Sequence, residues 1–380
     1  MLPNIHQINK FCLQAEKYKK EREDMKLKKI VALTLAASMV MGMTGCAKKE
    51  APAGDTAAPA GDAAAPAGDS ASGEAGEVIN LQLALVDPET SPYGKGAKKI
   101  AEEVEKATNG RIKITVNAGG SLGGERDTVE LAMSNNLDIA TAANSVLTNF
   151  IPNMNILDQA YLWTNIDQAH AAVDGKLGDL IKRDAEKLGL HVIGFMESGF
   201  RDTFSTKPIQ SIDDFKGITI RTMENKYHQA AFKAFGAMPI AMNYNDVFTA
   251  LQQGTIDAAE NALCNCWNSG YYEVTKNITK TQHAFVYIVL CMSDKAWQQI
   301  PEDLRQPFLD AVQKGIDAER QYLVEENEAA EKKLIEAGVT IYDIDVEELQ
   351  KAYKAQAEKE GFTFDPEWQA AVDEAIASVK

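Results

Sequence analysis

Apolar positions alternate with polar ones over residues 78–86 (VINLQLALV), which predicts a strand. Over 96–108 they recur instead at helical spacing (Ala97, Ile100, Ala101, Val104, Ala107), and Asn109-Gly110 supplies a C-cap and turn. Alternation returns over 111–117 (RIKITVN). A glycine-rich loop, a helix from about Glu125 and a strand over 137–142 follow. This β-α-β-α-β order predicts an α/β sheet whose loops at the carboxyl ends of the strands face a ligand.

From 147 to 190 the pattern is mostly helical, with Tyr161 and Trp163 as packing residues. Strands are expected at 191–195 (HVIGF), 218–223 (ITIRTM), 255–259 and 285–291. Between them, helices are expected over 226–235 and 245–253, ending at Gly236 and Gly254, and around 264–272. From Asp294 to Lys380 the expectation is helix interrupted only by turns, with one long stretch over 304–337.

The N-terminal part reads differently. From Met25 the segment MKLKKIVALTLAASMVMGMTGC has a basic start (Lys26, Lys28, Lys29) and an apolar run over 30–43, too short to span a bilayer. It is read as a signal peptide (25–45) ending in a lipobox-like MTGC, with Cys46 as the lipidated residue. Residues 1–24 are polar and charged and are read as a mis-called start. Over 46–77 the repeated APAGD/PAGD units lack large apolar residues, so a flexible linker is expected after the lipidated Cys46.

Length and charge narrow the possibilities. The 380 residues suffice for two domains, and 45% hydrophobic residues permit a sizeable core. Net charge is −16; residues 1–45 carry eight Lys/Arg against four Asp/Glu, so about −20 resides on the remainder. That excess argues against nucleic acid and anionic membrane surfaces, but not against a small anionic ligand. Cys12, Cys46, Cys264, Cys266 and Cys291 form no disulfide framework, and Cys264-x-Cys266 lacks the further ligands of a zinc site. No G-x-S-x-G or HExxH occurs and the five histidines are scattered, so no catalytic set, metal site or cofactor is expected. The glycines at 119, 120, 123 and 124 match neither GxGxxG nor a P-loop.

The candidate chemistry lies in 199–261. Arg201 and Arg221 each sit in or beside a strand-like run, and Asn261 follows a third. A buried guanidinium needs an anionic partner. No obvious carboxylate faces either arginine locally, although Asp202 could pair with Arg201, and Glu224 or Asp257 with Arg221. The reading preferred here makes the partner a ligand carboxylate.

Several segments in this order resemble the substrate-binding proteins of TRAP (tripartite ATP-independent periplasmic) transporters: ATNGRIKI, SLGGERD, DDFKGITIR, ALQQGTIDAAEN with YYEV after it, and the region around His283. The resemblance runs from about Leu81 to the C-terminus. Departures at Thr219, Ala258-Ala259 and Ala262 flank the site and bear on substrate identity. The resemblance implies a two-domain hinged periplasmic-binding-protein fold with mixed sheets and a domain-spanning helix. Domain I would comprise 78–198 and 287–325, and domain II 199–286 and 326–380. It makes Arg221 the main carboxylate clamp, Arg201 a second cationic contact and Asn261 a polar donor to the same group. Tyr244 would lie against the ligand, with Glu125, Asn144 and His283 lining the cleft. Those last three suggest a hydroxylated acid, such as a uronate or aldonate, over a bare dicarboxylate. The protein is then a lipid-anchored extracytoplasmic receptor, partnered by the membrane subunits of a TRAP transporter. The competing readings are an ABC-type solute receptor and a secreted enzyme acting on small acids.

Overall fold

The computed structural model describes residues 77–379, so Cys46, the signal segment and nearly all of the linker lie outside the described residues. Eleven strands are described: β1 (Ile79–Ala84), β2 (Ile112–Asn117), β3 (Ile139–Ala143), β4 (Leu190–Phe200), β5 (Asp202–Ser205), β6 (Thr219–Thr222), β7 (Met238–Ala241), β8 (Ala258–Asn261), β9 (Asn277–Thr279), β10 (Phe285–Ser293) and β11 (Thr340–Tyr342). They form two sheets, ordered β2-β1-β3-β10-β4 and β11-β9-β5-β8-β6-β7.

In the first sheet, β1 runs parallel to β2 and β3, and β10 lies antiparallel between β3 and β4. β3 (IATAA) and β10 (FVYIVLCMS) are buried throughout, which explains their unbroken apolar reading. The edge strand β2 is buried fully only at Ile112 and alternates accordingly. In the second sheet β6 is parallel to β7 and β8, whereas β5 is antiparallel to β8 and β9.

The chain passes from the first sheet to the second between Phe200 and Asp202, so Arg201 is the crossing residue. It returns between β9 and β10. A 35-residue helix, Glu302–Glu336, spans both lobes. Its early turns press Gly315 onto Ile100 and Ile316 onto Gly194. Its later turns reach the second sheet, where Glu331 binds Lys280 at 2.8 Å. A β-carbon on Gly315 would stand 2.3 Å from the Ile100 side chain, so glycine is what lets the helices touch there.

The structure revises several expectations. β4 extends five residues past the expected 191–195 and carries the chain to the hinge. The strand expected at 255–259 lies at Ala258–Asn261, which puts Glu260 and Asn261 on the sheet itself. The C-terminal region is not helix alone, because Thr340–Tyr342 pairs with β9 as an edge strand. A three-residue strand is too short to show a period. The final helix, Pro366–Ser378, buries Trp368, Ala371, Val372 and Ala375 among Val129, Leu177 and Ile181 of the first lobe, rather than joining the second. Leu349 and Tyr353 of the preceding helix do pack with the second-lobe residues Phe215 and Phe232.

Candidate functional site

The sheets' facing ends border a cavity of about 330 Å³ that is partly open to solvent. Its wall takes Val86, Asp87, Tyr93, Glu125 and Ala143 from the first lobe, and Arg221, Met223, Tyr244, Asn261 and Asn265 from the second. Ser198, Arg201, Val286 and Ile288 come from the crossing strands.

The two arginines are placed differently. β6 alternates, so Ile220 enters the core while Arg221 points the other way, and both are buried. Arg201 is held by four hydrogen bonds to protein. Its Nε donates to Glu260 Oε2 at 2.5 Å, its Nη1 to Asn261 Oδ1 at 2.7 Å and Ser198 Oγ at 3.1 Å, and its Nη2 to the Glu260 carbonyl at 2.6 Å. Arg221 donates Nε to the Met242 carbonyl at 2.9 Å, but its Nη1 stops 3.7 Å from Glu260 Oε1, beyond hydrogen-bond reach.

Glu260 is therefore the carboxylate that local sequence did not reveal. Asp202 instead accepts from the Gln282 amide at 3.2 Å, and Asp257 from the Thr219 amide at 2.9 Å, so neither serves an arginine. The register of β5 on β8 sets Thr203 opposite Glu260 and Asp202 opposite Asn261, which brings the glutamate to the hinge arginine. A lone Glu in the apolar run IDAAEN was the available signal; only strand pairing says what it meets.

Electrostatics separates the arginines further. Burial alone would raise the Glu260 pKa, but Arg201, with His283, holds it well below the usual carboxylate range. Burial likewise works against the Arg201 charge, and the Glu260 contact more than reverses that. For Arg221 burial prevails over the more distant Glu260, and its pKa is lowered. Arg221 is a buried cation short of an anion.

Asn261 sits between them with its orientation dictated. Its Oδ1 accepts from Arg201, from the Ala262 amide at 2.9 Å, from Asn265 Nδ2 at 2.9 Å and from Ser198 Oγ at 3.3 Å. The residue lines the cavity, and among the described residues its amide nitrogen makes no hydrogen bond. Tyr244 is fixed by its hydroxyl contact with Ser269 Oγ at 2.5 Å. Glu125 Oε1 accepts from the Ala143 amide at 2.8 Å, and burial raises its pKa.

Asn144 and His283 do not line the cavity. Asn144 is fully buried, donating to Asp158 Oδ1 at 2.9 Å and accepting from the Tyr287 amide at 2.9 Å, so its amide braces the first lobe. His283 is also fully buried. Its Nδ1 meets the Thr281 hydroxyl at 3.0 Å and its Nε2 lies 3.4 Å from Glu260 Oε2. Burial lowers its pKa, and it supports Glu260 from behind. His228, Glu260 and His283 have atoms within 4.8 Å of one another, but Glu260 already faces two guanidinium cations, which disfavours a third positive charge there.

Sequence reading missed Asp87, Tyr93, Ser198 and Asn265. Asp87-Pro88 follows β1 and reads as turn chemistry; its position past the carboxyl end of a parallel strand was the usable hint. The glycine loop has its own explanation. A β-carbon on Gly124 would lie 2.2 Å from Asn243 Nδ2, and one on Gly120 would lie 2.8 Å from Asn245 Nδ2, so these glycines admit the opposite lobe.

A cavity between two hinged α/β lobes, lined by a buried arginine lacking an anion, defines a two-domain solute receptor. The chain belongs to bacterial extracellular solute-binding protein family 7 (DctP), whose profile matches residues 83–361. It is 29% identical over 268 residues to the 2,3-diketo-L-gulonate-binding periplasmic protein YiaO of Escherichia coli, covering 70% of this chain and 82% of that protein. Its fold is similar to a TRAP periplasmic solute-binding protein of Polaromonas bound to D-erythronate, at TM-score 0.74 and 30% identity, covering 79% of this chain and 98% of the other. It is similar also to one from Sulfurospirillum deleyianum with bound succinate, at TM-score 0.72 and 27% identity, covering 80% and 100%. The protein is thus an extracytoplasmic TRAP-type receptor and not an enzyme.

Proposed function

We propose that this receptor binds an organic acid through its carboxylate on Arg221 and Asn261, and delivers it to the membrane subunits of a TRAP transporter. The observation that carries the reading is Arg221, only 4% exposed and without a hydrogen-bonded anion. A guanidinium presents a planar fork matched to a carboxylate, so pairing fixes orientation as well as charge. Arg201 acts behind the clamp by fixing Asn261, and Tyr244 and Glu125 complete the contact surface. Asn144 and His283 contribute through the residues they brace.

The relatives support this ligand class: the E. coli protein is a diketogulonate binder, and the two solved structures hold D-erythronate and succinate. A ligand that binds only the folded state raises Tm; at a hundredfold excess over Kd the gain is about 2.7 kcal/mol. A thermal-shift screen over sugar acids, dicarboxylates, 2-oxo acids and aromatic acids is expected to yield a shift. A response to neutral sugars or peptides and to no acid would reject the reading.

The receptor is placed at the membrane by Cys46, lipidated and joined to the folded part by the linker. Support comes from the MTGC sequence at the end of the apolar run and from the Pro/Gly/Ala composition after it. Metabolic palmitate labelling is expected in the native protein and absent in Cys46→Ala. Labelling that persists in the variant rejects the anchor.

A further inference from the structure

We propose that Asp87 and Glu125 select the far end of the ligand. The receptor takes monocarboxylic acids that carry hydroxyl donors remote from the carboxylate, and rejects acids with a second carboxylate there. The inference rests on the reading of Arg221 as the carboxylate clamp.

Charge within one cavity carries it. Arg201 and Arg221 bring two positive charges to the cavity wall, and Glu260 cancels one of them. A ligand carboxylate on Arg221 cancels the other. Asp87 and Glu125 then remain on the opposite wall; among the described residues neither is in a salt bridge, the arginines act on them only at longer range, and Asp87 is only 5% exposed. Glu125 spends one oxygen on the Ala143 amide and keeps the other free. The Asp87 carbonyl ties down the glycine loop through the Gly119 amide at 2.9 Å, so the residue's backbone is held while its carboxyl faces the cavity.

Two carboxyl groups of this kind want hydrogen-bond donors, which hydroxyls provide. A second ligand carboxylate would instead bring further negative charge against two carboxyls that are already buried. The wall already strains toward neutrality: burial, with Glu125 nearby, pushes the Asp87 carboxyl up to about 7, against opposing help from Tyr244 and Arg201.

Matched pairs of acids test this, because aldonates and aldarates of one configuration differ only at the terminal carbon. The pairs are D-gluconate with D-glucarate and D-galactonate with galactarate, titrated calorimetrically into the folded receptor. The monocarboxylate of the responding pair is expected to bind at least about tenfold tighter. Asp87→Asn and Glu125→Gln keep side-chain shape, and an unchanged circular-dichroism spectrum would certify their fold. At least one of them should shrink the preference about fivefold by improving the diacid. Equal affinities in the native protein, or a ratio that moves in neither variant, would overturn the proposal while leaving the clamp intact. If neither pair binds although another acid shifts Tm, this inference falls alone; if binding is indifferent to Arg221→Ala, the clamp reading falls and this inference with it.

Discussion

Replacing Arg221 with alanine is expected to weaken binding of the cognate acid by at least about a hundredfold while leaving the receptor folded. Each charge-assisted hydrogen bond contributes about 1.5–3 kcal/mol, and two are lost with the fork. The same change should cost little stability without ligand, which sets this residue apart from an ordinary buried arginine. Its single hydrogen bond goes to a carbonyl, and Glu260 lies 3.7 Å away. Burial already works against its charge. Deleting it removes an unmet cation rather than a made ion pair, so the ligand-free Tm should hold or rise slightly. Arg221→Lys retains charge and loses the planar fork, and should recover only part of the affinity. Calorimetric titration with differential scanning calorimetry of the same samples measures both effects. Affinity preserved within about threefold in Arg221→Ala would refute the clamp.

Replacing Glu260 with glutamine should do the reverse, destabilising the free receptor first. Glu260 is fully enclosed, bonded to Arg201 at 2.5 Å and flanked by Arg221 and His283. Its isosteric amide leaves two guanidinium groups without a countercharge, and breaking a buried pair this way costs about 3–5 kcal/mol. For a protein of this size that lowers Tm by roughly 5–8 °C. A bound acid supplies part of the missing charge, so ligand should raise Tm more in Glu260→Gln than in the native receptor. A ligand-free Tm within about 2 °C of native would show that Glu260 does not balance the arginines.

These opposite expectations arise because two arginines that look alike in sequence have different partners. Arg201 follows GF and Arg221 lies in ITIR; each is an isolated charge beside apolar residues. Nothing within a few positions separates a cation met by a protein carboxylate from one left short of an anion. The separation comes from β8, whose pairing with β5 delivers Glu260 to Arg201 from 59 residues away in sequence. Asn261 was legible as a polar residue past an apolar run. That its oxygen is spent on four donors was not.

Asn144 and His283 show the complementary case. Both stand near cavity-lining residues, Asn144 beside Ala143 and His283 three residues before Val286 on the hinge-crossing strand. Polar side chains there are as apt to satisfy buried backbone and carboxylate groups as to face a ligand. Asn144 bonds the Tyr287 amide and Asp158, while His283 bonds Thr281 and backs Glu260. The direction in which each side chain leaves its backbone decides between these roles, and that follows from which neighbours the fold supplies.

What the sequence alone determined is the alternation of strands and helices, the α/β class and the isolated cations, because these follow from local periodicity and composition; the two-lobed form came from the family resemblance. The apolar pattern of β1, β2 and β10 and the capped helices between them needed no long-range information. What only the tertiary structure decided is charge balance. Strand register set Glu260 on Arg201, left Arg221 short of an anion, and turned Asp87 into a buried carboxyl opposite it. Coulomb energies depend on distances between residues far apart in the chain, and those distances exist only once the sheets have formed.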